Sequence, residues 1–487
     1  MNPNRRAFLA GSVLAGLFAL VPRAIGRAMG YPRALNGPMV GASGPDHFNV
    51  WVRASGAFDV KLEYSTDRNF STVIDGPTIR ASAEDDCCVV LRAQGLKPDT
   101  PYWYRLKYDG QQDRYQWFNS KTRTAPAGPA DFRVAFGSCC RIQYDADQPI
   151  WNAVRGLEPD LFFWLGDNIY GDSDDPAVLT DLYSRGRVVE RLTPLLRSTP
   201  QLAIWDDHDF GYNDADGRHP RKQEALKVFK NFWANPSYGE PDSPGVYFRH
   251  SHGGVDFFFL DGRYNRDPIT QPDNAAKSML GARQKRWLKG ALSASTAPFK
   301  VLVSGGGWSS AENEKGGDSW ATYMTERNEI FDHIRDHDIG GVFCISGDSH
   351  MGELNCIPRS AAGGYDIYDM CSSPLAQMPA NKNTRQMPEV RVRDTWTRSV
   401  NVGLMHFRMT GGKPSMTYTL HDVLGEPVWE PLVLTPDDLR NDVRSWDSKS
   451  DPEELKRLER FKRGGGYYGT DMPEGWPDRP FTGKASG

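Results

Sequence analysis

One pattern constrains the fold of this chain more than any other. Four times, an apolar strand-like run stops at a group of residues able to bind metal. The runs read FRVAFGSCCR (132–141), DLFFWLGDNIYGD (160–172), LAIWDDHDFGYND (202–214) and GGVFCISGDSHMGE (340–353). Open α/β sheets place their ligand sites beyond the carboxyl ends of the strands. Four runs ending in carboxylate, phenol, thiol and imidazole groups therefore predict a layered α/β enzyme that gathers distant residues around a metal centre.

The length of 487 residues allows two to four domains, or one large domain with an appendage. With 39% hydrophobic and 25% charged residues the chain can build a core. Its formal net charge of −4 argues against a general polyanion binder, so no stable nucleic-acid partner is expected. The seven cysteines show no paired CxxC spacing, which speaks against a zinc ribbon. Cys356 and Cys371 are a candidate disulfide if the chain works in an oxidising compartment.

The segment 4–11 (NRRAFLAG) precedes an apolar stretch at 12–21 that is shorter than the about 20 residues a membrane span needs. It resembles a twin-arginine export signal, with cleavage near Ala28. The alternatives are an ordinary signal peptide or an N-terminal anchor. The reading implies the twin-arginine export machinery as a partner, and a periplasmic or secreted product. It also implies a mature chain without a transmembrane segment.

Domain boundaries follow from changes in pattern. Residues 1–28 are the export signal. Residues 33–123 read as all-β, with short alternating runs at 50–52, 60–64 and 88–91. The stretch GLKPDTPYWYRL (95–106) resembles the corner and following strand of a fibronectin type III sandwich, where an aromatic enters the core between the sheets. TRTAPAGP (122–129) reads as a linker. From 131 to 435 strand runs alternate with helical spacing at 222–234, 283–293 and 324–335, an α/β layered domain. A hairpin turning at 424–426 closes it. Residues 436–487 read as a charged, Gly-rich tail that packs poorly.

Each motif has a bland reading beside the chemical one. Asp167 in GDNIY is a candidate bridging carboxylate with Tyr170 beside it, or else a helix cap with a surface tyrosine. Asp206, Asp207, His208 and Asp209 put three acids around one imidazole, and they repel unless cations or protons compensate, or unless the loop is simply solvated. His208 between carboxylates is expected to hold its proton more tightly and is the candidate general acid. Asp348 and His350 are two apart, so on an extended end they project to one side and could serve neighbouring ions. Cys139 is a thiolate ligand or an inert buried cysteine.

Taken together, the runs Gly137-Ser138-Cys139, Gly166-Asp167 with Tyr170, Trp205-Asp206-Asp207-His208-Asp209 and Gly347-Asp348 with His350 resemble the PhoD family of alkaline phosphatases, a branch of the calcineurin-like metallophosphatases. FLDGR (259–263), LGARQ (280–284) and CSSPL (371–375) support the resemblance, which spans roughly 33–435. It implies a four-layer β-sandwich flanked by helices, preceded by the small fibronectin III-like domain. It further implies an exported hydrolase of phosphate esters holding Fe³⁺ and Ca²⁺, with Zn²⁺ or Mn²⁺ open at either ion.

On this reading Asp167 bridges the ions, Cys139, Tyr170 and His350 complete the iron side, and Asp207 and Asp348 hold calcium with Asn213 as a weaker candidate. A hydroxide held by the two metals attacks phosphorus. His208 protonates the leaving oxygen or stabilises the transition state, steered by Asp209, and Arg141 neutralises a phosphate oxygen. The nearest alternative activity is a phosphodiesterase, including a phospholipase D-like one. More distant are a secreted iron redox protein and a pure binding module.

Overall fold

The computed structural model describes residues 31–113, 119–309, 318–379 and 390–462. The export signal expected at 1–28 lies outside these residues, as does the tail beyond 462.

Two six-stranded mixed sheets form the larger domain. The first runs Gln201–Ile204, Leu161–Leu165, Phe132–Gly137, Asn401–Arg408, Ser415–Asp422, Leu432–Leu434; its first three strands are parallel and the rest antiparallel. The second runs Phe248–His252, Val255–Phe259, Phe299–Val303, Val342–Ser346, Ile367–Cys371, Glu353–Ile357, with four parallel central strands and antiparallel edges. The central strands are continuous apolar runs because both of their faces are covered.

Alternation along the strands decides which layer each side chain meets. Phe163 points between the sheets, with ring centroids 4.9 Å from both Phe257 and Phe259. Its neighbours Phe162 and Trp164 point outward, onto Trp151 of the helix Ile150–Gly156, at 5.4 and 5.1 Å. Phe407 lies at the centre of the sandwich, stacked on Phe132 at 4.9 Å and edge-on to Phe257 and Phe299 at 5.9 Å. On the far side Phe258 turns outward to Trp287 of the helix Gly281–Ala294. The order is helix, sheet, sheet, helix, as the family resemblance implied.

The N-terminal region is a sandwich of a three-stranded and a five-stranded sheet around Phe48, Val50, Leu62, Leu91 and Tyr104. Tyr102 is the aromatic of the expected corner: buried, its hydroxyl accepts the Lys97 N–H at 3.0 Å. The first strand of this domain, Ala34–Gly44, pairs with His47–Ala54.

Three sequence expectations change. The segment 122–129 is no free tether, since Thr122, Thr124 and Ala125 are buried, and Met39, Ala42 and Trp51 of the sandwich join the main core of the larger domain. The 436–462 part of the expected tail belongs to the fold: Leu439, Trp446 and Leu458 enter that same core. Cys356 and Cys371 do not form a disulfide; on neighbouring antiparallel strands Cys356 faces Tyr368 and Cys371 faces Glu353, and the Cys371 thiol instead donates to Gly347 O at 3.2 Å.

Candidate metal centre

Register brings the motif-bearing strand ends to one edge. In the first sheet Gly137 pairs with Trp164 and Leu165 with Ile204, so the turns carrying Cys139, Asp167 and Asp207 leave the sheet side by side. The second sheet joins them there. Leu375 N donates to Ser138 O at 2.8 Å, Asp348 N to Ser138 Oγ at 3.1 Å and Gly347 N to Gly305 O at 2.8 Å.

The backbone at this edge is bent unusually. Cys139, Asp167, Asp348 and His350 all take left-handed conformations, with φ of 58°, 49°, 68° and 56°. Each such residue costs on the order of 1 kcal/mol and persists only where the surroundings impose it, a pattern typical of functional sites. Gly166, at φ 96°, makes a close approach: a Cβ there would lie 2.6 Å from Asp206 Cβ.

The side chains converge. Donor atoms of Cys139, Asp167 and His350 lie within 4.8 Å of one another, and so do those of Asp167, Asp207 and His208. Asp167 is common to both groups and is almost fully buried. The Cys139 thiol approaches Asp167 Oδ2 at 3.5 Å and Asp348 O at 3.7 Å. Tyr170 and His350 meet at 2.9 Å between hydroxyl and Nε2. Asp348 is half-buried, and its carboxylate stands in the field of Asp206 and Asp207.

The crowding of acids around Asp167 and Asp348 has a plain electrostatic result. Burial, then the charges of Asp207 and Cys139, push the Asp167 carboxyl well above its ordinary range; burial and the charges of Asp206 and Asp207 do the same to Asp348. Burial also raises the Tyr170 phenol and the Cys139 thiol. One carboxylate oxygen, Asp207 Oδ1, is buried without a hydrogen-bond donor, and the Arg263 guanidinium is 3.7 Å away. An orphaned oxygen among acids, thiol, phenol and imidazole is the donor set that cations satisfy. The residues fit a pair of metal ions sharing Asp167.

His208 and Asp209 are arranged otherwise than adjacency in sequence suggests. They lie in the one-turn helix Asp207–Phe210, which sends Asp209 inward. Asp209 Oδ1 accepts the Tyr183 hydroxyl at 2.6 Å and the Asn168 amide at 3.1 Å, while Oδ2 accepts the backbone N–H groups of Asn168 and Asp206, both at 3.1 Å. It therefore does not steer His208. Asp172 does: its Oδ1 lies 2.6 Å from His208 Nδ1. The His208 ring in turn packs tilted against Tyr170 at 4.2 Å between centroids, and the Arg141 guanidinium lies 5.2 Å from the Tyr170 ring centroid. Arg141 Nε is buried without an acceptor. Asn213 is exposed; its neighbour Asp214 is the residue near Asp207, donating its N–H to Asp207 Oδ2 at 2.8 Å.

Sequence reasoning missed Asp172 as a partner and the part played by Arg263. Arg263 is fully buried, pairs with Asp206, and donates to Asp318 at 2.5 Å, anchoring the Asp206–Asp207 turn from below. The signal was present in FLDGR, a cation immediately beyond a buried strand.

Comparison with known proteins gives the same family from both ends of the chain. The N-terminal domain of PhoD-like phosphatases matches residues 22–126 and the PhoD-like phosphatase domain matches 180–411. Alkaline phosphatase D of Bacillus subtilis (strain 168) is 26% identical over 385 residues, which cover 68% of this chain and 65% of that relative's length. Among solved structures, that of PhoD superposes with a TM-score of 0.69 at 18% identity, covering 89% of this chain and 97% of that one. A purple acid phosphatase from yellow lupin (Lupinus luteus) seeds gives 0.60 at 10% identity, covering 82% and 74%. With the two family domains matched in order and the architecture shared over 89% of the chain, this chain belongs to the PhoD-like phosphatase family.

Proposed function

We propose that this protein is a metal-dependent hydrolase of phosphate esters. The observation that carries the reading is the sharing of Asp167 between two adjacent donor groups on one sheet edge. Cys139, Asp167, Tyr170 and His350 would hold one cation, read as Fe³⁺. Asp167, Asp207 and Asp348 would hold a second, read as Ca²⁺, with Zn²⁺ or Mn²⁺ as alternatives. Bound there, the pair supplies Lewis acidity toward a phosphoryl oxygen and a water acidic enough to act as nucleophile.

The remaining work falls to this chain's own groups. Asp172 accepts from His208 Nδ1, which leaves the other ring nitrogen to hold the proton for the leaving oxygen. Arg141, with a donor left unpaired beside Tyr170, binds a phosphoryl oxygen. Arg263 balances the charge of Asp206 and keeps the Asp207 turn in place.

Monoester and diester cleavage both suit this arrangement, and alkaline phosphatase D activity is the first reading. The test is turnover of mono- and bis(p-nitrophenyl) phosphate by metal-loaded protein. Hydrolysis of at least one, abolished by chelation and restored by metal, is expected; no turnover of either with any of the four metals overturns the proposal. The Arg-Arg segment ahead of the described residues supports export by the twin-arginine route. Among the described residues no helix is long and apolar enough to cross a membrane.

A further inference from the structure

We infer that the N-terminal sandwich is a positioning element for the metal centre, acting through Tyr183 and Asp209. The inference rests on the metal-centre reading above. It starts from an oddity of Asp209, a carboxylate 2% exposed that touches no candidate metal group yet uses both oxygens in four hydrogen bonds. Those bonds tie together the two turns that matter most. Asn168 follows Asp167, and Asp206 precedes Asp207, so Asp209 fixes the spacing of the two carboxylates that would share cations. A ligand held by such an outer partner loses metal affinity when the partner is removed.

Tyr183 sets Asp209 in turn. Its hydroxyl makes the shortest of the four bonds, 2.6 Å, from the helix Pro176–Gly186. That helix is gripped by the sandwich domain at the next residue: Asn36 Nδ2 donates to Ser184 O at 2.8 Å, Ser184 Oγ donates to Asn36 Oδ1 at 2.8 Å, and Arg53 donates to Ser184 Oγ at 3.0 Å. The Tyr183 ring stacks on Phe232 at 5.2 Å, and Phe232 packs on Trp51 of the sandwich at 5.7 Å. Trp51 is wholly buried and its indole N–H donates to Asn231 O at 2.6 Å. The path from the sandwich to the candidate ligands is thus continuous: Asn36 and Trp51, then Tyr183, then Asp209, then the Asp167 and Asp207 turns. A domain joined by a loose tether would have no such path.

The test is titration of the full-length, metal-stripped chain with Ca²⁺ by calorimetry, with the thermal midpoint of the metal-free form measured alongside. Tyr183→Phe removes one hydroxyl and keeps the stacked ring. It should raise the Ca²⁺ dissociation constant by about 10- to 100-fold. Ser184→Ala, more than one contact away from any ligand, should raise it by at least about threefold. A hydroxyl that served stability alone would lower the midpoint and leave the dissociation constant unchanged. Asp209→Asn provides a second variant should Tyr183→Phe fail to fold, and it too should weaken Ca²⁺. A folded Tyr183→Phe, Asp209→Asn or Ser184→Ala protein that binds Ca²⁺ within twofold of wild type overturns the inference. Wild-type protein that binds no Ca²⁺ at all instead overturns the calcium reading on which it rests.

Discussion

The pairing of Asp172 with His208 yields the sharpest expectation. Replacing Asp172 by Asn keeps the size of the side chain and removes its charge from His208 Nδ1, 2.6 Å away. Hydrogen bonds to charged groups contribute about 1.5–3 kcal/mol when shielded from water. The Asp172 side chain is 43% exposed and that of His208 14%, so solvent screening reduces the figure to roughly 1–2 kcal/mol. Through the relation of barrier to rate this is about a 5- to 30-fold loss of kcat. The loss should depend on the leaving group. An alkyl phosphate needs a proton delivered to its departing oxygen, whereas p-nitrophenolate leaves without one, so the alkyl ester should suffer the full effect and the nitrophenyl ester little. The assay is steady-state kinetics on both esters for wild type, Asp172→Asn and His208→Ala at equal metal content. Should Asp172→Asn leave alkyl ester turnover unchanged while His208→Ala abolishes it, the orienting role of Asp172 is refuted.

Other expectations concern stability and geometry. In metal-free protein Asp167 and Asp348 hold their protons more tightly than in the unfolded chain, and burial pushes Asp209 up to about 6 against the bonds it accepts. The folded form therefore binds more protons than the unfolded form above pH ~4, and these groups lower stability as pH rises through their folded values. The melting midpoint of chelated protein should fall between pH 5 and pH 7 by this contribution, and added metal should recover most at the higher pH; a midpoint that rises over the same interval contradicts the electrostatic account. Gly166→Ala places a methyl 2.6 Å from Asp206 Cβ at a φ of 96°, and should abolish metal binding while far-ultraviolet circular dichroism stays close to wild type. Phe407→Ala empties the centre of the sandwich and should cost about 3–5 kcal/mol in urea unfolding; a loss below 1 kcal/mol would mean the sheets do not pack through it.

Much of the site was legible because strand ends announce themselves. Cys139, Asp167, Tyr170, Asp207 and His350 sit where apolar runs stop; parallel pairing aligns the stops of the first sheet, and hydrogen bonds to Ser138 bring the His350 turn of the second sheet to them. What adjacency suggested within a run proved less dependable. Asp209 follows His208 directly, but on one turn of helix successive side chains diverge by about 100°, so Asp209 faces the core while His208 faces Asp172 and Tyr170. Asp172, 36 residues earlier, reaches the imidazole instead. The same limit explains Asn213 and Asp214, where a loop rather than a strand sets direction.

At the level of fold, the helices at Lys222–Phe232, Gly281–Ala294 and Met324–Asp336 follow their apolar spacing closely. The strand Ala34–Gly44 does not read as one. Its sequence ALNGPMVGASG is rich in small residues and turn formers, and it is held by pairing and by Trp51, Met39 and Ala42 reaching the other domain's core. The charged segment after 435 misleads for a related reason: a few apolar residues, Leu439, Trp446 and Leu458, suffice to dock it, while the charges around them stay in water.

The central claim is that segments far apart in sequence form one metal centre around Asp167, and elemental analysis of purified protein beside its phosphate-ester turnover measures it directly. Wild type should carry about two metal ions per chain, one for each of the two candidate donor groups that share Asp167. Folded Asp167→Ala should lose both ions and turnover together. Full metal content and activity in that variant, or undiminished hydrolysis by metal-free wild type, would contradict the account.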